Sequence, residues 1–125
     1  MIPYSQAFDP PAPVADVVVR VPNDSGTSKR IEALVDTGAD VSVIPDQAAQ
    51  GLDLAPYAEM IVEAFDGHRQ RLELYAADIA VGGVRLPPLS VVAYPLNHAT
   101  LGRDVLNRFF TTLNGPELTL DLRLP

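Results

Sequence analysis

The sequence predicts a mostly-β single domain, a sandwich or a closed to partly open barrel. Three observations predict it. Twelve prolines and eight glycines punctuate the chain at short intervals, and the intervals hold runs of Val, Ile and Leu of strand length. A length of 125 residues suits one domain, and 47% hydrophobic against 20% charged residues is enough apolar material for a core, which excludes disorder as the overall description. Helical patterning is confined to two short segments.

Taken in order, the first thirteen residues, with Pro at 3, 10, 11 and 13, read as an irregular arm ahead of a domain spanning 14–125. Strands are expected over Val14–Val21, Arg30–Val35, Val41–Ile44, Tyr57–Phe65, Arg71–Val81, Val84–Leu86, Leu89–Ala93, Thr111–Leu113 and Glu117–Leu122. A helical turn or two follows Pro45 over Asp46–Gln50 and is stopped by Gly51. One short C-terminal helix is expected over Arg103–Phe110, where Val105, Leu106 and Phe109 cover one face. Asp66-Gly67 and Asn114-Gly115 are hairpin turn signals.

Charge and composition exclude several functions. Sixteen acidic against nine basic residues leave a net charge of −7, which argues against nucleic acid or an anionic membrane surface as a partner. With no Cys there is no disulfide framework, thiol nucleophile or Cys-ligated zinc. No apolar run approaches the roughly 18 residues of a membrane span. The first residues lack the basic and apolar regions of a signal peptide, so the cytoplasm is the expected compartment. The opening Met1 leads us to expect an independent gene product.

The informative stretch is Ile31-Glu32-Ala33-Leu34-Val35-Asp36-Thr37-Gly38-Ala39-Asp40-Val41-Ser42-Val43-Ile44-Pro45. An apolar strand delivers Asp36 at its end, Thr37-Gly38 turns the chain back, and a second apolar strand follows. An acid so placed is held rigidly, beside a hydroxyl and a backbone that can approach a partner closely. An isolated Asp-x-Gly is more often a plain β-turn with polar flanks. Here both flanks are apolar. Asp24-Ser25-Gly26, twelve residues upstream, has such polar flanks and reads as a hairpin loop between the first two strands.

Leu34-Val35-Asp36-Thr37-Gly38-Ala39 resembles the active-site signature of retropepsin-like aspartic proteases, the family of the retroviral proteases. Ala99-Thr100-Leu101-Gly102-Arg103-Asp104-Val105-Leu106 resembles the family's second motif, an apolar pair followed by Gly-Arg-Asp/Asn at the start of its helix. The resemblance spans about residues 14 to 122. It implies a single lobe of an aspartic endopeptidase that works as a two-fold homodimer on a polypeptide substrate, with no metal or organic cofactor. Each copy would supply one catalytic acid, Asp36. The two would share a proton, one carboxylate activating water while its protonated twin polarises the scissile carbonyl, so activity is expected to favour acid over neutral pH.

The resemblance also implies roles for neighbours. Thr37 would bond across to the partner's backbone, Gly38 would keep that crossing close, and Asp40 would pair with Arg103 to brace the site beside Gly102. Ala39, Asp40, Thr100 and Leu101 would contact or buttress substrate. A hairpin within Tyr57–Val81, with its tip at Phe65, Asp66 and Gly67, would close over it. Retroviral flaps carry several glycines whereas this tip has only Gly67. The Pro-rich arm and Pro125 also depart from the family's interdigitated terminal sheet. The rival reading from another class is a catalytically inactive module of the same fold that binds peptide or dimerises.

Other chemistries fit poorly. Asp36, Gly38 and Asp40 have calcium-loop spacing, but Val41 stands where such a loop needs Gly and Gln47 where it needs a Glu. His68 and His98 lack local metal-ligand spacing. Ser42 has no triad partner nearby in sequence.

Overall fold

The computed structural model describes residues 1–23 and 26–125. Its elements are β1 (Ile2–Pro3), β2 (Val14–Arg20), β3 (Ser28–Val35), β4 (Val43–Pro45), α1 (Asp46–Gly51), β5 (Pro56–Glu63), β6 (Arg69–Val81), β7 (Val84–Arg85), β8 (Leu89–Tyr94), β9 (Ala99–Leu101), α2 (Arg103–Leu106), β10 (Phe110–Asn114) and β11 (Thr119–Arg123).

The larger sheet runs β2-β3-β9-β4-β8-β6-β5, and a further pairing of β2 with β6 brings it almost full circle. That ring depends on the thirteen residues of β6. Its start pairs with β5, its middle with β8 over Leu74–Ala77, and its end with β2 over Asp78–Val81. A strand long enough to serve these three partners, and β7 as a fourth off the ring path, closes a sheet that separate short strands would leave open. Closure also removes edges that would otherwise present unpaired backbone.

The interior of the ring is apolar because alternate residues of β2 point inward: Val17 and Val19 are fully buried while Asp16 is exposed. Val81, Val91, Ile44 and Leu101 belong to the same buried cluster. Each such side chain contributes about 1.5–3 kcal/mol by leaving water. Val105 and Leu106 of α2 seal one end.

A second, three-stranded sheet of order β1-β11-β10 stands apart. It corrects one expectation. The proline-rich arm is not wholly irregular: Ile2 and Pro3 pair with Leu120 and Thr119, and Ser5 bridges Ala12. Ile2 packs against the core, and Pro3 is tolerated because it lies in a strand at the sheet edge, where a missing N–H leaves no ladder bond unmade.

Two elements are shorter or later than the pattern suggests. The C-terminal helix ends at Leu106 rather than Phe110, and β10 begins at once; Phe109 still packs on the core from the turn between them. The final strand starts at Thr119 rather than Glu117, since Gly115 to Leu118 form a four-residue turn closed by Leu118 N–H donating to the Gly115 carbonyl at 3.2 Å. Strand β9, unread in the sequence, has three residues, too few for alternation to declare itself. Strands β2 and β3 pair as a hairpin as expected, but Asp24 and Ser25 of its loop lie outside the described residues. Among the described residues no helix is long and apolar enough to cross a membrane.

Candidate active site

Asp36 leaves the end of β3 where two strands from distant parts of the chain converge. Leu34 pairs with Thr100 and Val35 with Leu101 in parallel register, and the Asp36 N–H continues that ladder by donating to the Leu101 carbonyl at 3.0 Å. Leu101 is therefore a buried buttress, and Thr100 beside it is half-buried. Beyond Asp36 the chain turns, with Ala39 N–H donating to the Asp36 carbonyl at 3.2 Å. The Gly38 N–H donates to Asp36 Oδ1 at 2.9 Å. The carboxylate is thus oriented by its own loop and still exposed.

Gly38 does more than turn the chain. A methyl group there would lie 3.2 Å from the same Asp36 Oδ1, so it would crowd the oxygen that the Gly38 N–H holds. Gly102 is more constrained: an added Cβ would meet the Ala39 carbonyl oxygen and the Val41 carbonyl carbon and oxygen, each at 2.8 Å. These are backbone atoms and cannot swing aside. Only Gly lets α2 approach the Asp36 loop this closely.

Arg103 then ties helix to loop. Its backbone N–H donates to the Ala39 carbonyl at 2.8 Å and its guanidinium to the Thr37 carbonyl at 2.7 Å. It also pairs with Asp40. The Asp40 side chain is 82% exposed, so this pair orients the loop more than it stabilises the fold.

A third tie was not legible in the sequence. Ser42 is 3% exposed. Its hydroxyl donates to Asp104 Oδ1 at 2.7 Å and accepts from the Gly102 N–H at 3.1 Å, while its own N–H donates to Asp104 Oδ2 at 3.0 Å. One buried hydroxyl and one carboxylate so join β4's approach to the head of α2. Asp104 and Ser42 are 62 positions apart, and the clue available was a single polar residue in an otherwise apolar run.

Across from the loop, the β5–β6 hairpin overhangs a cleft of about 660 Å³. Gly38, Ala39 and Asp40 line one side, Met60, Val62 and Asp66 of the hairpin another, and Val92, Tyr94 and Leu96 the wall between. The hairpin tip is a tight turn: Gly67 N–H donates to the Ala64 carbonyl at 2.9 Å, and His68 N–H donates to Asp66 Oδ1 at 2.9 Å. Gly67 has φ +85°, a conformation natural only to glycine. Phe65 at the tip is fully exposed. Asp36 and Thr37 stand beside this lining, both exposed. Among the described residues no group of three or more His, Asp or Glu could hold a metal ion.

The comparisons agree with this arrangement. Residues 26–108 match the family described as "gag-polyprotein putative aspartyl protease", a span that includes both the Asp36 loop and Arg103. The solution structure of Simian Foamy Virus (mac) protease is similar in fold, with a TM-score of 0.57 and 19% identity over 75% of this chain and 91% of that one. No curated protein sequence matches. A family match over most of the chain, together with a near-closed ring of retropepsin-like fold, establishes that this chain belongs to the retroviral-type (gag) aspartyl protease family.

Proposed function

We propose that this chain is an aspartic endopeptidase whose catalytic unit is a homodimer, each copy contributing Asp36. The observation that carries the reading is the setting of that carboxylate: fixed at Oδ1 by the Gly38 N–H, exposed, and two residues from Gly38 on the wall of a cleft of about 660 Å³. One carboxylate alone cannot both take a proton from water and hand one to a carbonyl. Two across a two-fold axis can, because like charges that close share a proton and their affinities split. The ionised member takes the water's proton as the oxygen attacks, and the protonated member hydrogen-bonds the carbonyl oxygen as it gains charge. The apolar cleft walls would hold substrate side chains, and the β5–β6 hairpin would lie over the peptide. Asp40 and Arg103 keep the loop in place.

The test is Asp36→Asn, a nearly isosteric change that removes the shared proton. Cleavage of an unfolded protein substrate should disappear while the circular dichroism spectrum and melting temperature hold. Equal cleavage by the variant would sink the mechanism. Binding of peptide without cleavage by the wild-type chain would instead favour an inactive module of the same fold.

A further inference from the structure

The N-terminal arm lies outside the family match, which begins at residue 26, yet it is built into the fold. Between Ser5 and Ala12 the chain forms a closed loop. Ser5 N–H donates to the Ala12 carbonyl at 2.8 Å, and Ala12 N–H donates back to the Ser5 carbonyl at 3.2 Å. Ala7 N–H donates to Ser5 Oγ at 3.1 Å. The loop is anchored on both sides of its base. Tyr4 N–H donates to the Leu118 carbonyl at 2.8 Å, and the Pro13 carbonyl accepts the Val35 N–H at 3.0 Å, one residue before Asp36. A compact loop with its ends tied together presents its side chains at set places.

One of those side chains reaches the back of the cleft wall. The Phe8 ring, half-buried, meets His98 edge-to-face, with centroids 5.4 Å apart and planes at 79°, a favoured geometry for two aromatic rings. His98 stands two residues after Leu96, which lines the cleft with Tyr94, and two before Thr100, which pairs with Leu34. The turn that carries Leu96 runs from the end of β8 at Tyr94 to the start of β9 at Ala99. Within it Leu96 N–H donates to the Tyr94 carbonyl at 2.8 Å, and Pro95 and Asn97 are exposed. The Asp36 loop has separate ties, through the Gly38 N–H and the Arg103 guanidinium.

From this contact we infer that Phe8 is a positioning residue for the substrate cleft: its ring holds His98, and His98 holds the turn that sets Leu96 against the peptide. The inference rests on the endopeptidase reading above. It divides binding from chemistry. Without the ring the Leu96 turn is freed, so part of the cleft wall must be ordered each time a peptide binds, and affinity falls. The Asp36 carboxylate keeps its own hydrogen bond, so the rate of the bound complex is retained. Removing an interaction that serves bound substrate and transition state alike raises KM and leaves kcat where it was.

The test compares Phe8→Ala with Phe8→Tyr, which keeps the ring. Phe8→Ala should raise KM for a cleaved peptide about two- to tenfold, the range one aromatic pair supplies, at unchanged kcat. Phe8→Tyr should restore most of the wild-type value. In a Leu96→Ala background the effect of Phe8→Ala should vanish, because both act through one turn. Amide exchange at Leu96 and His98 should speed up in Phe8→Ala while β2 and β6 keep theirs. An unchanged KM, a fall in kcat instead, full additivity with Leu96→Ala, a Phe8→Tyr as impaired as Phe8→Ala, or unchanged exchange in the turn would overturn the assignment. Peptide binding to Asp36→Asn, read by fluorescence anisotropy with and without Phe8→Ala, separates it from the protease reading. Cleavage by the wild type with binding indifferent to Phe8→Ala removes the positioning role and leaves the protease. Binding that weakens in Phe8→Ala, in a chain whose wild type never cleaves, does the reverse. A chain that neither binds nor cleaves peptide removes both.

Discussion

Ser42 is the residue whose removal should say most about how the Asp36 loop is held. Its hydroxyl accepts the buried Gly102 N–H and donates to Asp104. Ser42→Ala leaves that N–H without a partner in a site closed to water, at a cost of about 1–3 kcal/mol. The melting temperature should fall accordingly, while Ser42→Thr, which keeps the hydroxyl, should lose much less. If Ala and Thr behave alike, the bond is not what joins α2 to β4. Removing Arg103's partner Asp40 should matter less to stability, because that pair is solvent-exposed. Burial, not charge, ranks these two ties.

Among the elements, the β5–β6 hairpin is the least supported. Strand β5 pairs with β6 and with no other strand of the ring order, and all of its residues are exposed or half-exposed. Its tip depends on Gly67 at φ +85°, where a Cβ would meet nothing within 4 Å. Gly67→Ala therefore clashes with no atom and costs only the conformational preference, about 1 kcal/mol. Native-state hydrogen exchange should speed up in the hairpin and stay unchanged in β2 and β8. Faster exchange throughout would mean that the hairpin opens with the ring rather than alone. The strands of this hairpin were legible in the sequence within two residues at either end, since Asp66-Gly67 marks its turn and apolar residues alternate on both sides. Strand β1 and strand β9 were not. Ile2–Pro3 becomes a strand through Leu120 and Thr119, which lie at the far end of the chain, and no local pattern announces such a partner.

For the whole molecule the proposed dyad has a consequence in concentration. A single chain offers one Asp36, so specific activity should decline on dilution as the dimer dissociates by mass action. Sedimentation and peptide cleavage followed over the same concentration series should fall together. Full specific activity in a sample that sediments at the mass of one chain, 13.4 kDa, would require a second acid from within the chain. Contacts between the two Asp36 loops should contribute to the proposed dimer, so Thr37→Val should weaken the dimer as well as cleavage.

What the sequence determined by itself was local and chemical. Apolar runs cut by Pro and Gly specify short strands, because side-chain alternation and turn geometry are properties of neighbouring residues. The Asp36-Thr37-Gly38 and Gly102-Arg103 motifs announce a family for the same reason: close backbone approach leaves few residue types able to stand there. Tertiary structure alone decided the closure of the ring through β6, the buried Ser42–Asp104 tie and the pairing of β1 with β11. Each of these depends on which distant segments meet. That choice is made by burial of the whole core at once, so no window of adjacent residues contains it.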